Sequence, residues 1–234
     1  MKTNHNKSAN AAGILFILAA VAAMIGRILY GPILTDPDYI IAGSSYEPQI
    51  LWGVFFEILT AFAVIGTPIA LFPVLKKYNQ SMAIATVSFR LLEATMIIVG
   101  ILCLLTIVTL SHEFAKDIHP DAASYLFAGK SLMAMHKWTF LYGPNLALGP
   151  STFMTAYLLY KSKLVPRFIT VLGMIGGPMI FMCAVLVTFG FFTQTSLWGG
   201  LMAIPVFLYE MSLAIRLLVK GFNSTEVEVV TVMR

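Results

Sequence analysis

The chain has 234 residues, of which 59% are hydrophobic and only 11% charged, and its formal net charge is +4. Its mean hydropathy is +0.85. This balance excludes an ordinary soluble domain, where about a quarter of residues are charged, and makes the lipid bilayer the first partner of the chain.

Residues 1–10 read as a short polar tail carrying Lys2 and Lys7. A bilayer core about 30 Å thick takes roughly 20 apolar residues of helix. The first stretch of that kind runs over about 11–34. GILFILAAVAA after two lysines also has the look of a secretory signal, but the apolar run continues past Arg27 to Ile33 and Leu34, which favours an uncleaved span. Further stretches follow at about 51–75, 82–110, 133–160, 166–192 and 197–219. Strands are ruled out by their length and continuous apolarity, and by the unpaired backbone an isolated strand would expose to lipid. The predicted fold is therefore all-α, one bundle of six transmembrane helices over 11–222, with a short tail at 223–234.

Between the spans, basic residues alternate in number. Lys2, Lys7, Lys76, Lys77, Lys161, Lys163, Arg167, Lys220 and Arg234 fall on one side, and only Lys116 and Lys130 on the other, with Asp36, Asp38, Glu47, Glu113, Asp117 and Asp121. Nine against two predicts that both termini face the cytoplasm. The basic loops then lie against anionic headgroups, so the net charge implies no nucleic-acid partner. The longest piece between spans, 111–130, contains Pro120 and Asp121, which suit the start of a short helix on the outer surface.

Much chemistry has no carrier in this chain. Cys103 and Cys183 sit inside apolar spans and read as small hydrophobes rather than a disulfide or metal pair. The histidines His5, His112, His119 and His136 form no axial-ligand pair within spans, and no zinc signature, nucleophile elbow or phosphate loop occurs. No cofactor or metal is implied.

Seven ionisable residues fall within the spans. Lys137 and Arg216 are near span ends, where long side chains reach the interface. Arg27, Glu57, Arg90, Glu93 and Glu210 are deeper. Each costs at least ~2.5–3.5 kcal/mol facing lipid, so these five are predicted to face the bundle interior. At about 1.5 Å per residue, Arg27 and Glu57 lie at matching depth near the outer side of neighbouring spans and form a predicted ion pair. Arg90 and Glu93 share a helix face, and Glu210 comes to nearly the same depth from the last span, about 13–15 Å from the cytoplasm. These three make a predicted polar cluster with one formal negative charge in excess. It reads either as a proton or cation site or as a clasp that fixes helix register.

Gly-Pro pairs at 31–32, 143–144, 149–150 and 177–178, and Pro68, Pro73 and Pro205, interrupt the spans. The fourth span carries two such breaks around Asn145, and broken helices line many transport cavities. His136, Tyr142 and Asn145 are accordingly candidate cavity-lining residues. Gly173 and Gly177 stand at the GxxxG spacing that permits close helix approach.

The segments LFPVLKKYNQSMAIATVSFRLLEATMIIVG, AYLLYKSKLVPRFITVLGMIGGP and LVKGF resemble the bacterial integral-membrane family catalogued as domain of unknown function 4386. The resemblance spans nearly the whole chain and implies a multi-pass protein of the bacterial plasma membrane, with no substrate or catalytic residue to carry over. Three functions stay open. One is a small-solute or proton-coupled carrier, which predicts a cavity touching Arg90, Glu93 and Glu210; the span count is small for a carrier, which leaves room for a homo-oligomer. A second is a structural or regulatory component held by its buried charges. The third is an enzyme acting on lipid-like substrates, with a lateral pocket near His136, Lys137 and Tyr142.

Overall fold

The computed structural model describes residues 2–36 and 39–223. They form seven α-helices: α1 Lys2–Tyr30, α2 Tyr39–Leu75, α3 Gln80–Lys116, α4 Ala122–Leu141, α5 Leu148–Ser162, α6 Arg167–Thr188 and α7 Leu197–Lys220. A 3₁₀ turn, Pro32–Leu34, follows α1, and a π-helical segment, Tyr142–Ala147, joins α4 to α5. Five segments are long and apolar enough to cross a membrane: Asn6–Tyr30, Tyr46–Leu75, Gln80–Lys116, Arg167–Thr188 and Leu197–Lys220. The protein is thus an all-helical protein built for a bilayer. The stretch predicted as a fourth continuous span is divided by the π segment into helices of 20 and 15 residues.

One boundary differs from the prediction. Helix α1 begins at Lys2, so the residues taken for an N-terminal tail extend the helix instead. The predicted C-terminal tail lies outside the described residues from 224 onward. Helices α2 and α3 each have 37 residues, about 55 Å of helix against a hydrocarbon core of about 30 Å. The surplus gathers at one end with the start of α4. Ile40, Ile50, Leu104 and Ile107 are buried there, with Tyr46, Phe114 and Tyr125 packed against them. His112 and Glu47 meet at 3.0 Å, and the Phe114 and Tyr125 rings stand edge to face at 5.4 Å.

Local chemistry sets the helix ends. The Asn79 side chain accepts from the Met82 amide at 3.0 Å and opens α3. Asp121 caps α4 by accepting from the amides of Ala123 and Ser124, and the Ser124 hydroxyl holds its carboxyl below the usual carboxylate range. This matches the helix start expected at Pro120–Asp121. Prolines inside the helices leave carbonyls without their amide donors. At Pro68 the orphan is the Val64 carbonyl, which accepts from the Thr67 hydroxyl at 2.9 Å. At Pro144 it is the Phe140 carbonyl, which accepts from Gln194 Nε2 at 3.2 Å. Neighbours thus replace water, as an apolar surrounding requires.

Sequential helices pack side by side except α4 and α5, which follow one another through the π segment; α5 packs on α3, and α7 returns to α1, so the bundle closes into a ring. The α1–α7 closure lies at the end of the chain termini, where Ala9, Ala12 and Phe16 share a buried cluster with Leu213, Ala214 and Leu217. Leu75, Leu164 and Val165 belong to the same cluster, so the α2–α3 and α5–α6 turns are at that end too.

Candidate intramembrane polar cavity

A cavity of about 500 Å³ lies inside the ring. Arg27, Glu57, Arg90, Glu93 and Glu210 all line it, together with His136. The sequence reading divided these charges into an outer pair and an inner cluster; the structure sets both on the wall of one cavity.

The inner group is built on α3. Arg90 and Glu93 are three residues apart, which puts both on one helix face. Arg90 Nη1 donates to Glu93 Oε2 at 3.2 Å, and Nη2 donates to Glu210 Oε1 of α7 at 2.5 Å. One guanidinium therefore bridges two carboxylates, with Phe16 of α1 beneath it at 6.0 Å. The side chains of Arg90 and Glu93 are 7% and 5% exposed, but that of Glu210 is 19% exposed. Of the two carboxylates that Arg90 bridges, Glu210 is the more exposed, and it lines the cavity.

The outer group differs from its prediction. Among the described residues Arg27 and Glu57 make no direct ion pair. The Tyr30 hydroxyl donates to Glu57 Oε1 at 2.8 Å, while the Arg27 guanidinium lies 4.8 Å from the Phe140 ring centre and 5.8 Å from that of Tyr30. Depth, read from helical rise, set the two charges at one level, and both line the cavity. It did not reveal that an aromatic residue one turn after Arg27 would reach the carboxylate first.

His136 lines the cavity, with 6% of its surface exposed. Its Nδ1 lies 3.2 Å from the Gly100 carbonyl oxygen, and its ring stands edge to face with Tyr30 at 5.5 Å. Tyr142 and Asn145 are not on the cavity wall. They turn toward α6 and the segment after it: the Tyr142 hydroxyl is 3.2 Å from that of Thr188, and Asn145 bonds Gln194 and contacts Cys183 Sγ at 3.7 Å. Both lie in the π segment Tyr142–Ala147, so the break expected at the Gly-Pro pair is present, but these two residues face α6 rather than the cavity. Of the two expected anchors, Lys137 is exposed, and Arg216 donates to Asn223 Oδ1 at 2.7 Å.

Apolar residues make up the remainder of the wall. Ala19, Ala20, Ala23, Met24 and Ile28 of α1 face the polar side across the cavity, and the hydroxyls of Thr60, Thr67 and Thr139 interrupt it. Tyr30, Phe140 and the threonines were not singled out from the sequence, where nothing distinguishes them from other aromatic or small residues of a span.

These features define a class, that of helical membrane proteins enclosing a charged cavity. The chain belongs to the family described as Domain of unknown function (DUF4386), whose model matches residues 11–221. No curated protein and no solved structure matches it significantly.

Proposed function

We propose that this protein is a carrier of the bacterial plasma membrane, moving a small solute or coupling its movement to protons, with the cavity as its site. In this reading the single membrane domain crosses the bilayer six times, both termini are cytoplasmic, and α4, the π segment and α5 together make the fourth crossing. The basic turns at Lys76–Lys77 and Lys161–Lys163 sit beside the buried cluster that also holds the start of α1 and the end of α7, in keeping with the positive-inside rule. The observation that carries the proposal is the convergence of five charged side chains from α1, α2, α3 and α7 on one cavity. A clasp needs contact between its members and no empty volume. A transport site needs both charge and space, and both are present.

The second reading, a structural or regulatory component, draws on Arg90, whose two pairings tie α3 to α7. Dicyclohexylcarbodiimide, a membrane-soluble reagent that adds covalently to carboxylic acids, separates the two. If the cavity exchanges protons, native membranes treated with it give an adduct at Glu93, Glu210 or Glu57 by peptide mass spectrometry, and labelling slows as pH rises. A pure clasp leaves all three unmodified across the pH range.

A further inference from the structure

The lining of the cavity also states what kind of molecule fits it. Its charged members are Arg27 on α1, Glu57 on α2, Arg90 and Glu93 on α3, and Glu210 on α7. Three carboxylates face two guanidiniums, a formal excess of one negative charge. Arg27 lies over the Phe140 ring at the Glu57 end, so the excess belongs to the inner group, where Arg90 is shared between Glu93 and Glu210. Glu210, at 19% side-chain exposure, is the carboxylate a ligand reaches.

A second and independent feature is His136. Its Nδ1 faces the Gly100 carbonyl oxygen, an acceptor, so that nitrogen carries the proton and Nε2 presents a lone pair. Nε2 is buried and has no hydrogen-bond partner among the described residues. An acceptor left unsatisfied in an apolar surrounding costs about 1–3 kcal/mol, which a ligand with a donor hydrogen recovers. Both polar features of the wall therefore ask for donors, and one of them asks for positive charge.

The rest of the wall asks for an apolar body. Met24 and Ile28 line the cavity and are 52% and 72% exposed. They lie on α1 within the Asn6–Tyr30 segment, which is long and apolar enough to cross a membrane, so this wall of the cavity is also part of the apolar outer surface of the bundle. A volume of about 500 Å³ is within the roughly 300–1,000 Å³ range of sites for small organic molecules.

We infer that the cavity binds a hydrophobic protonated amine that enters from the bilayer, with its ammonium at Glu210 and its apolar body against α1. This rests on the carrier reading and adds the charge and polarity of the molecule carried. An anion of the same shape meets the excess carboxylate. A neutral alcohol satisfies a donor position and leaves the charge unbalanced.

The test uses the full chain in nanodiscs, with empty nanodiscs as the partition control, and three probes on one skeleton: 4-phenylbutylamine, 4-phenylbutanol and 4-phenylbutyrate. Equilibrium dialysis is expected to show saturable binding of the amine, at least about tenfold tighter than the alcohol, with no saturable binding of the acid. Glu210→Gln is expected to weaken the amine by roughly tenfold and leave the alcohol unchanged, and Glu210→Asp to restore most of the loss. If Glu210→Gln fails to fold, as a melting curve reports, Glu93→Gln removes the same charge and carries the same expectation. Equal binding of amine and alcohol, tighter binding of the acid, or an amine affinity indifferent to loss of either carboxylate overturns the inference. Carbodiimide labelling without amine binding keeps the carrier and rejects this ligand class. Neither result together rejects both.

Discussion

Arg90 is the residue on which the interior balances, and the bridge it forms makes the variants unequal. Its side chain is 7% exposed and donates to both Glu93 and Glu210. Removing either carboxylate leaves Arg90 with the other, a neutral pair. Removing the guanidinium leaves two carboxylates facing each other across the inner end of the cavity. Breaking a buried pair by deleting the shared partner costs about 3–5 kcal/mol, because an uncompensated charge remains. Losing one of two bonds to a retained partner costs nearer 1–2 kcal/mol. Melting in detergent or nanodiscs should therefore rank Arg90→Gln far below Glu93→Gln and Glu210→Gln, with the two glutamate variants close together. Equal losses for all three would mean that Arg90 does not bridge. The carrier reading sharpens the expectation for Glu210→Gln, the most exposed member, whose charge contributes least to packing.

At the scale of the helices, α6 is held by small residues. A Cβ built on Gly177 would stand 2.6 Å from the Gly149 carbonyl oxygen and 2.8 Å from the Phe153 amide nitrogen of α5. One on Gly173 would stand 2.7 Å from both the Ala156 Cβ and the Tyr209 ring. The GxxxG spacing thus serves both neighbours, α5 and α7, and small residues permit this approach where packing rather than hydrophobicity drives association. Backbone cannot give way as a flexible side chain does, so Gly177→Ala should cost about 1–3 kcal/mol in the melting assay. Gly200→Ala, with nothing within 4 Å of the added carbon, is the matched control and should melt no lower than the wild type, or slightly higher, since alanine favours the helix. This contact was legible because two glycines four apart in an apolar run have few other uses. The depth of Arg90 and Glu210 was equally legible, since helical rise and span ends fix depth without knowledge of the partner. The Tyr30–Glu57 bond was not, because which neighbour reaches a carboxylate depends on rotation about two helix axes that no periodicity reports. Tyr142 and Asn145 were expected on the cavity because broken helices often line one, and a break by itself does not say which way its residues turn. The π segment changes the angular step per residue in mid-span, and only the Gly-Pro pair at 143–144 hinted at it.

At the scale of the whole molecule, the arrangement turns on the chain from Ala122 to Ser162. Its two helices and the π segment amount to about 60 Å if laid end to end, twice the hydrocarbon core. The start of α4 sits in the buried cluster with the ends of α1 and α3, while Leu158 and Leu159 of α5 sit in the cluster with the chain termini. The run therefore reaches from one end of the bundle to the other, although neither of its helices is a membrane span by itself. If it crosses, the bundle has six spans and its termini share a side; if it does not, five spans put them on opposite sides. Lys130 and Lys161, both exposed, lie on either side of the predicted span at 133–160 within this run, and Cys103 and Cys183 are buried at 3% and 0% exposure, which leaves them out of reach of a polar reagent. Lys130→Cys and Lys161→Cys can therefore be compared in the native cysteine background with a membrane-impermeant maleimide. In intact bacterial cells with a permeabilised outer layer, Lys130→Cys should label and Lys161→Cys should label only after the inner membrane is opened. Labelling of both from outside, or of neither, places the flanks on one side and removes the fourth crossing. The reverse pattern keeps six spans and inverts the orientation, which would put the larger set of basic turns outside the cell, against the electrostatic asymmetry that governs insertion.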